Sequence, residues 1–276
     1  MNDPTLGPRH AAHPDRPNGG EPATSFPAHT HRANAPIIIA IDGPSGSGKS
    51  TLARTLAERL GGVALHTGRH YRAVALMVAM AGVDADNPSE VEALLVTESP
   101  RLDDAGNLVV SGRSFSLYEL ESAVVDRAVS AVSNNDAVRW QLLNLQRAWI
   151  EAQVPTGLSV IVEGRDACTQ VAPAARHRFY LNASIEERAA RRCNQRDSSS
   201  MTRPETRADI IRRDTADQGH GRTTPDTPGI TIVDTDHITQ SEVLERLWQS
   251  LASDGPVPTI VTMQGHTPAP PSHNRG

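Results

Sequence analysis

From residue 36 to residue 252 the chain alternates short β-branched runs with stretches whose apolar residues recur every three or four positions. Ile37-Ile38-Ile39-Ala40-Ile41 reads as a buried strand. The stretch after it places Leu52, Leu56 and Leu60 on one helical stripe and is stopped by Gly61-Gly62. Val63-Ala64-Leu65 predicts a second strand, and a helix follows from about Ala73 to Ala81. From Asn134 to Glu151 a long helix is expected, with Val138, Leu142, Leu145 and Trp149 on its stripe and Arg139 beside it. Leu158 to Val162, Arg178 to Leu181 and Ile230 to Asp234 supply three more strands. Three capping boxes, Ser184-x-x-Glu187, Thr202-x-x-Glu205 and Thr239-x-x-Glu242, each open a helix. The second of these helices is expected to run to about Gln218, and the third carries Val243, Leu244, Leu247 and Leu251.

Five short strands alternating with helices predict an α/β fold with a three-layer parallel sheet, and the Gly43-x-x-x-x-Gly48-Lys49-Ser50 turn between the first strand and its helix makes it one of the P-loop NTPase type. Residues 83 to 127 interrupt it: Pro88 to Leu95 suggests a short helix, and Arg101 to Val110 a hairpin turning at Asp104-Ala105-Gly106-Asn107. This reads as a small β-rich, substrate-side insertion. An arginine-rich helix (Arg188, Arg191, Arg192, Arg196) leads into a polar stretch, so residues 197 to 222 read as a helical lid closing on polyphosphate. A solvated basic helix is the plainer reading of Arg188, Arg192 and Arg207. Residues 1–35 and 253–276 are rich in Pro and polar residues and are expected to be disordered tails around a 36–252 domain.

Composition narrows the function. Hydrophobic residues make up 38% of the 276 but aromatic ones only 3%, so the core must be aliphatic. A net charge of −5 gives no electrostatic reason to expect a polynucleotide or an anionic membrane as partner. Cys168 and Cys193 have neither metal spacing nor a disulfide framework, which suits a reducing compartment. No stretch has the length of a membrane span or the pattern of a signal peptide, so the expectation is a cytoplasmic protein, and it is read as a monomer.

The chemistry centres on Gly43-Pro44-Ser45-Gly46-Ser47-Gly48-Lys49-Ser50-Thr51, which fits G-x-x-x-x-G-K-[ST] between a strand and a helix. Glycines let the backbone bend so that its N–H groups cradle a phosphate at the helix N-terminus. Lys49 supplies a compact cation for the β- and γ-phosphates of ATP, and Ser50 a hydroxyl for Mg2+. Among 27 Lys and Arg residues Lys49 is the sole lysine, consistent with a turn that needs a point charge rather than a planar guanidinium.

Two more clusters lie at strand ends, where open α/β sheets bind ligands. Thr67 and Arg72 follow the second strand and could take another anionic group, or form an ordinary turn with a solvated arginine. Glu163-Gly164-Arg165-Asp166 closes the Leu158 to Val162 strand, and Arg165 with Asp166 is either a site pair or a salt bridge. No stretch offers an evident general base. A phosphate-monoester acceptor needs none, because it is already anionic near neutral pH and attacks directly. The residues therefore favour a nucleoside monophosphate kinase acting on a small-molecule substrate.

The segment from about 37 to 252 resembles bacterial cytidylate kinases. Ile41 to Thr51, Thr67-Gly68-x-x-Tyr71-Arg72-Ala73, Glu163-Gly164-Arg165-Asp166 and Arg213-Asp214-x-x-Asp217 carry the likeness in order and separation. The resemblance implies ATP-dependent phosphorylation of CMP or dCMP. It implies that Ser130, Arg139 and Asp166 read the cytosine edge, that Thr67, Arg72 and Arg165 hold the acceptor phosphate, that Asp217 binds the ribose and that Arg213 reaches the transferring group. Two positions depart from the family pattern: His66 stands where an acidic residue is usual, and His220 where an arginine is usual. Arg222 is a candidate substitute for the latter. A kinase for a specialised cytidylyl or phosphonate acceptor and a catalytically decayed nucleotide binder remain the alternatives.

Overall fold

The computed structural model describes residues 36–195, 202–216 and 221–253, all within one unit spanning Asn34–Gly276. Both segments expected to be tails, apart from Ser253 at the edge of the second, lie outside the described residues.

The apolar runs form the central sheet. Strands β1 (Ile38–Asp42), β2 (Val63–His66), β6 (Val160–Gly164), β7 (His177–Asn182) and β8 (Thr231–Asp234) lie parallel in the order β2-β6-β1-β7-β8. Ile38 sits opposite Val160 and Asp42 opposite Gly164, so β1 and β6 end level with each other. Alternation along β1 divides the two faces of the sheet. Ile39 and Ile41 pack with Leu52 and Leu56 of α1 (Lys49–Leu60) and with Leu244 and Leu247 of α9 (Gln240–Ser253). Ala40 packs on the other face with Leu65, Val160, Val162 and with Trp149 and Ile150 of α6 (Asp136–Gln153). Helix, sheet and helix thus make three layers, as the strand pattern predicts.

The insertion begins after α2 (Thr67–Ala81) with α3 (Pro88–Glu98). Strands β3 (Arg101–Leu102), β4 (Leu108–Val110) and β5 (Arg113–Ser114) then form the expected small antiparallel sheet. Two helices are additional to the sequence reading: α4 (Leu117–Leu120) and α5 (Ala123–Asn134). Val125 and Val132 of α5 enter a second core with Val74 and Val78 of α2 and with Val138 and Leu142 of α6. Helix α2 also starts six residues earlier than its apolar pattern suggests. Its first turn holds Gly68 and no capping side chain, so helix signals are weak there, and tertiary contacts fix it. His70 is the main one: its Nε2 meets the Gly106 carbonyl at 2.8 Å and its Nδ1 meets Gln146 Nε2 at 3.1 Å.

Two of the three capping boxes close in both directions, Glu205 and Glu242 accepting from the Thr202 and Thr239 amides; at the first, the Ser184 amide donates to Asp236 rather than to Glu187, so only the hydroxyl half of the box forms. Ser184 Oγ accepts from Glu187 N, Thr202 Oγ1 from Glu205 N and Thr239 Oγ1 from Glu242 N. The first two open α7 (Ile185–Gln195) and α8 (Arg203–Ala216). Of the stretch expected to be a lid, α8 and residues 221–222 are described, whereas Asp217 and His220 lie outside the described residues.

Candidate active site

The β1–α1 turn forms a phosphate-sized cradle. Gly46 and Gly48 hold φ of 79° and 93°, a left-handed region costly for other residues, and Lys49 opens α1 directly after them. The Lys49 ammonium is largely buried and folds back over the loop, donating to the Pro44 carbonyl at 2.8 Å. On the outer side a cleft of about 520 Å³ is bordered by Ser47, Thr51, Arg191, Asn194, Gln240 and Val243. Gly43, Pro44, Ser45 and Ser47 complete the loop, and the following arginines brace it. Arg165 donates to the Gly43 carbonyl at 2.6 Å, Arg188 to the Ser45 carbonyl at 3.2 Å, and Arg192 to Ser45 Oγ at 3.2 Å.

Glu163, at the level end of β6, faces the same turn. Its Oε1 accepts from Ser50 Oγ at 2.9 Å and lies 2.9 Å from His66 Nδ1. Burial pushes this carboxyl up, but hydrogen bonds from His66 and Ser50 and the nearby Lys49 and His66 charges outweigh it and bring it down to about 2. A hydroxyl and an ionised carboxylate side by side are hard oxygen donors, the type that suits Mg2+. Among the described residues no group of three His, Cys, Asp or Glu side chains forms an all-protein metal cage. Mg2+ is characteristically held by one or two protein oxygens together with phosphates, so Ser50 and Glu163 are a fitting donor set.

Asp42 anchors the back of the site. It is fully buried at the end of β1 and accepts from Ala167 N, Cys168 N and Thr223 Oγ1 at 2.9, 2.7 and 2.6 Å. Burial raises its pKa against the opposing pull of these bonds. The two amides open a wide π-type turn, Ala167–Val171, that starts directly after Asp166 and so fixes where Asp166 points.

On the second side, Thr67 Oγ1 donates to the Glu163 carbonyl at 2.9 Å. Gly164 permits that approach, because a Cβ there would fall 2.3 Å from the Thr67 hydroxyl. Arg165 and Asp166, adjacent in sequence, do not pair with each other. Asp166 Oδ2 instead meets Arg139 Nη2 at 2.6 Å, and the Arg139 guanidinium lies 6.0 Å from the centre of the Tyr71 ring. Ser130 is half-buried one turn before Ser133, whose carbonyl is 3.4 Å from Arg139 Nη1. Arg222, on the returning chain, is close enough for its charge to act on the Tyr71 phenol, which burial pushes upward. Arg72 and Arg213 converge on one carboxylate, Asp126, each with an Nη2 at 2.8 Å from its Oδ1.

The structure therefore sets Lys49, Ser50 and Arg165 on the phosphate loop with Thr67 on the Glu163 carbonyl beside it, pairs Arg139 with Asp166, and gathers Arg72 and Arg213 on Asp126. The plain reading of the basic helix holds for Arg207, which is exposed and 3.4 Å from Glu186. It fails for Arg188, only 4% exposed and 2.6 Å from Asp214, and for Arg192. Asp42 had a signal in the sequence, an acidic residue at the end of an apolar strand. Asp126 had none, because nothing along the chain relates it to Arg72 or Arg213.

A family model described as cytidylate kinase matches residues 39–253. A cytidylate kinase from Caldanaerobacter subterraneus is 33% identical over 222 residues, covering 79% of this chain and 96% of its own length. One from Nocardia farcinica is 38% identical over 227 residues, covering 79% and 95%, and one from Pelotomaculum thermopropionicum 46% identical over 158 residues, covering 56% and 67%. Over nearly the whole of the described structure, then, this chain belongs to the cytidylate kinase family.

Proposed function

We propose that the protein phosphorylates CMP, and dCMP, to the diphosphate with ATP as donor. The observation that carries this reading is the Arg139–Asp166 pair at the end of β6, 2.6 Å apart beside Tyr71. Cytosine presents ring acceptors next to an exocyclic N4 amine, so a guanidinium and a carboxylate side by side complement it. Uracil would set a carbonyl oxygen against the carboxylate, and the pair would repel it.

The acceptor's phosphate oxygen is the nucleophile in this scheme. It is ionised near neutral pH, so no side chain has to take its proton. Lys49 holds the β- and γ-phosphates from the loop, while Arg165 stands between the loop and the acceptor phosphate held by Thr67 and Arg72. Arg213 reaches the moving phosphoryl group from α8. Mg2+, with Ser50 and Glu163 near it, neutralises charge on the donor phosphates when bound. Positioning and charge neutralisation together carry the rate enhancement. Asp217, His220 and Arg222 are assigned to acceptor sugar and phosphate.

The test is ADP formation from Mg-ATP against CMP, dCMP, UMP, AMP and GMP at equal concentration. Rapid turnover confined to the cytidine nucleotides is the expected result. ATP binding without turnover on any of them would overturn the reading, and turnover of UMP equal to CMP would remove Arg139 and Asp166 as base readers.

A further inference from the structure

Asp126 sits where a phosphate would be expected. It projects from α5 between Arg72 of α2 and Arg213 of α8, and one oxygen, Oδ1, lies 2.8 Å from each guanidinium. The same cluster holds Asp209, whose Oδ2 is 3.0 Å from Arg213 Nε and 3.7 Å from Arg192 Nη2. Burial works to raise the Asp126 carboxyl, but the Arg213, Arg72 and Arg192 charges outweigh it and hold it ionised. Arg72 uses both terminal nitrogens here, Nη2 on Asp126 and Nη1 on the Leu120 carbonyl at 2.7 Å. An end-on, two-pronged grip on a phosphate needs those same nitrogens, so it requires a present partner to give way.

We propose that Asp126 is an internal counter-ion for the acceptor-phosphate site: the incoming phosphate binds by displacing the Asp126 carboxylate from Arg72 and Arg213, and this exchange sets the KM for the acceptor. The proposal rests on the reading of Arg72 and Arg213 given above. A phosphate monoester dianion outcompetes a single carboxylate for two guanidiniums, whereas a nucleoside, carrying no phosphate, cannot dislodge it. Asp126 therefore acts as a specificity residue that excludes acceptors without a dianionic group. A residue that merely held the two arginines in place would have the opposite effect on removal, which separates the two roles.

The experiment compares wild type with Asp126→Asn and Asp126→Ala. With saturating Mg-ATP, KM for CMP should fall about five- to tenfold while kcat moves far less, the pattern of binding gained equally in ground and transition states. A higher or unchanged KM would overturn the proposal and make Asp126 a positioning residue. Sulfate titration of the same proteins, followed by thermal melting, gives a readout independent of turnover: sulfate should raise the Tm of both variants more than that of wild type. Equal shifts would overturn it. If wild type fails to turn over CMP, the functional reading falls, and the sulfate arm still decides whether Asp126 competes with an anion. Should Asp126→Ala fold poorly, Asp126→Asn preserves the side chain's shape.

Discussion

Glu163 carries two contacts on a single oxygen, one to the hydroxyl that opens α1 and one to the imidazole that ends β2. Its pKa near 2 against an ordinary 4.5 has a definite sign. A depressed carboxylate stabilises the fold fully above its unfolded pKa, and that stability is lost as pH falls from about 4.5 toward about 2. His70 adds an earlier step in the same direction. Burial lowers it to about 4, opposed by its bond to Gly106, so the fold favours the neutral ring and loses stability as pH falls from about 6.5 toward about 4. Melting temperature measured against pH should therefore decline in two stages on acidification. Glu163→Gln should flatten the lower stage and leave the upper one, and a variant curve parallel to wild type throughout would contradict the assignment. The same variant should need more Mg2+ for half-maximal turnover, since Ser50 loses the carboxylate beside it.

At the scale of elements, α7 connects loop and lid. Arg188 is inward, its Nη1 donating both to the Ser45 carbonyl and to Asp214 of α8, while among the described residues Arg207 of α8 touches only Glu186 at the surface. Arg188→Ala should cost about 2 kcal/mol in urea unfolding, because it removes a buried guanidinium that holds the Ala183 and Ser45 carbonyls and Asp214 together. It should also lower kcat by loosening the phosphate loop. Arg207→Ala should match wild type in both measurements, and equal effects from the two would refute this division of roles. The periodicity that drew α1, α6 and α9 was sufficient for them because each buries one continuous stripe, that of α1 and α9 against the sheet and that of α6 first against α2 and α5 and then against the sheet. The same signal runs through α5, where Val125, Val129 and Val132 recur at i, i+4 and i+7, but the β-branched valines and the serines lower helix propensity there and the sequence reading does not draw the helix. The wide turn after Asp166 was equally hidden, since its cause is Asp42, over 120 residues earlier, accepting from its first two amides.

For the molecule as a whole, local chemistry was the legible part. The phosphate loop and the capping boxes at Thr202 and Thr239 order themselves through neighbours in sequence, and the strands of the parallel sheet each announce themselves by local pattern although β1 pairs with β6 and β7 across more than 100 residues. The acceptor side is assembled from α2, α5, α6, α8 and the end of β6, so its residues could be named by resemblance but their pairings could not. Arg165 turning to Gly43 rather than Asp166, and Asp126 bridging two arginines, are products of that assembly. The lone lysine has a further consequence. Every side-chain amine in this 276-residue chain is Lys49 Nζ, and it lies inside the donor loop, bonded to Pro44. Acylating reagents, which attack side-chain amines wherever they occur, therefore have a single internal address here. Mass spectrometry after acetylation should find one modified lysine, its labelling suppressed by Mg-ATP and its appearance matched by loss of turnover. Labelling that ATP leaves unchanged would show that the amine is not at the nucleotide. To amine chemistry, in effect, this protein is an occupancy gauge for its own donor site.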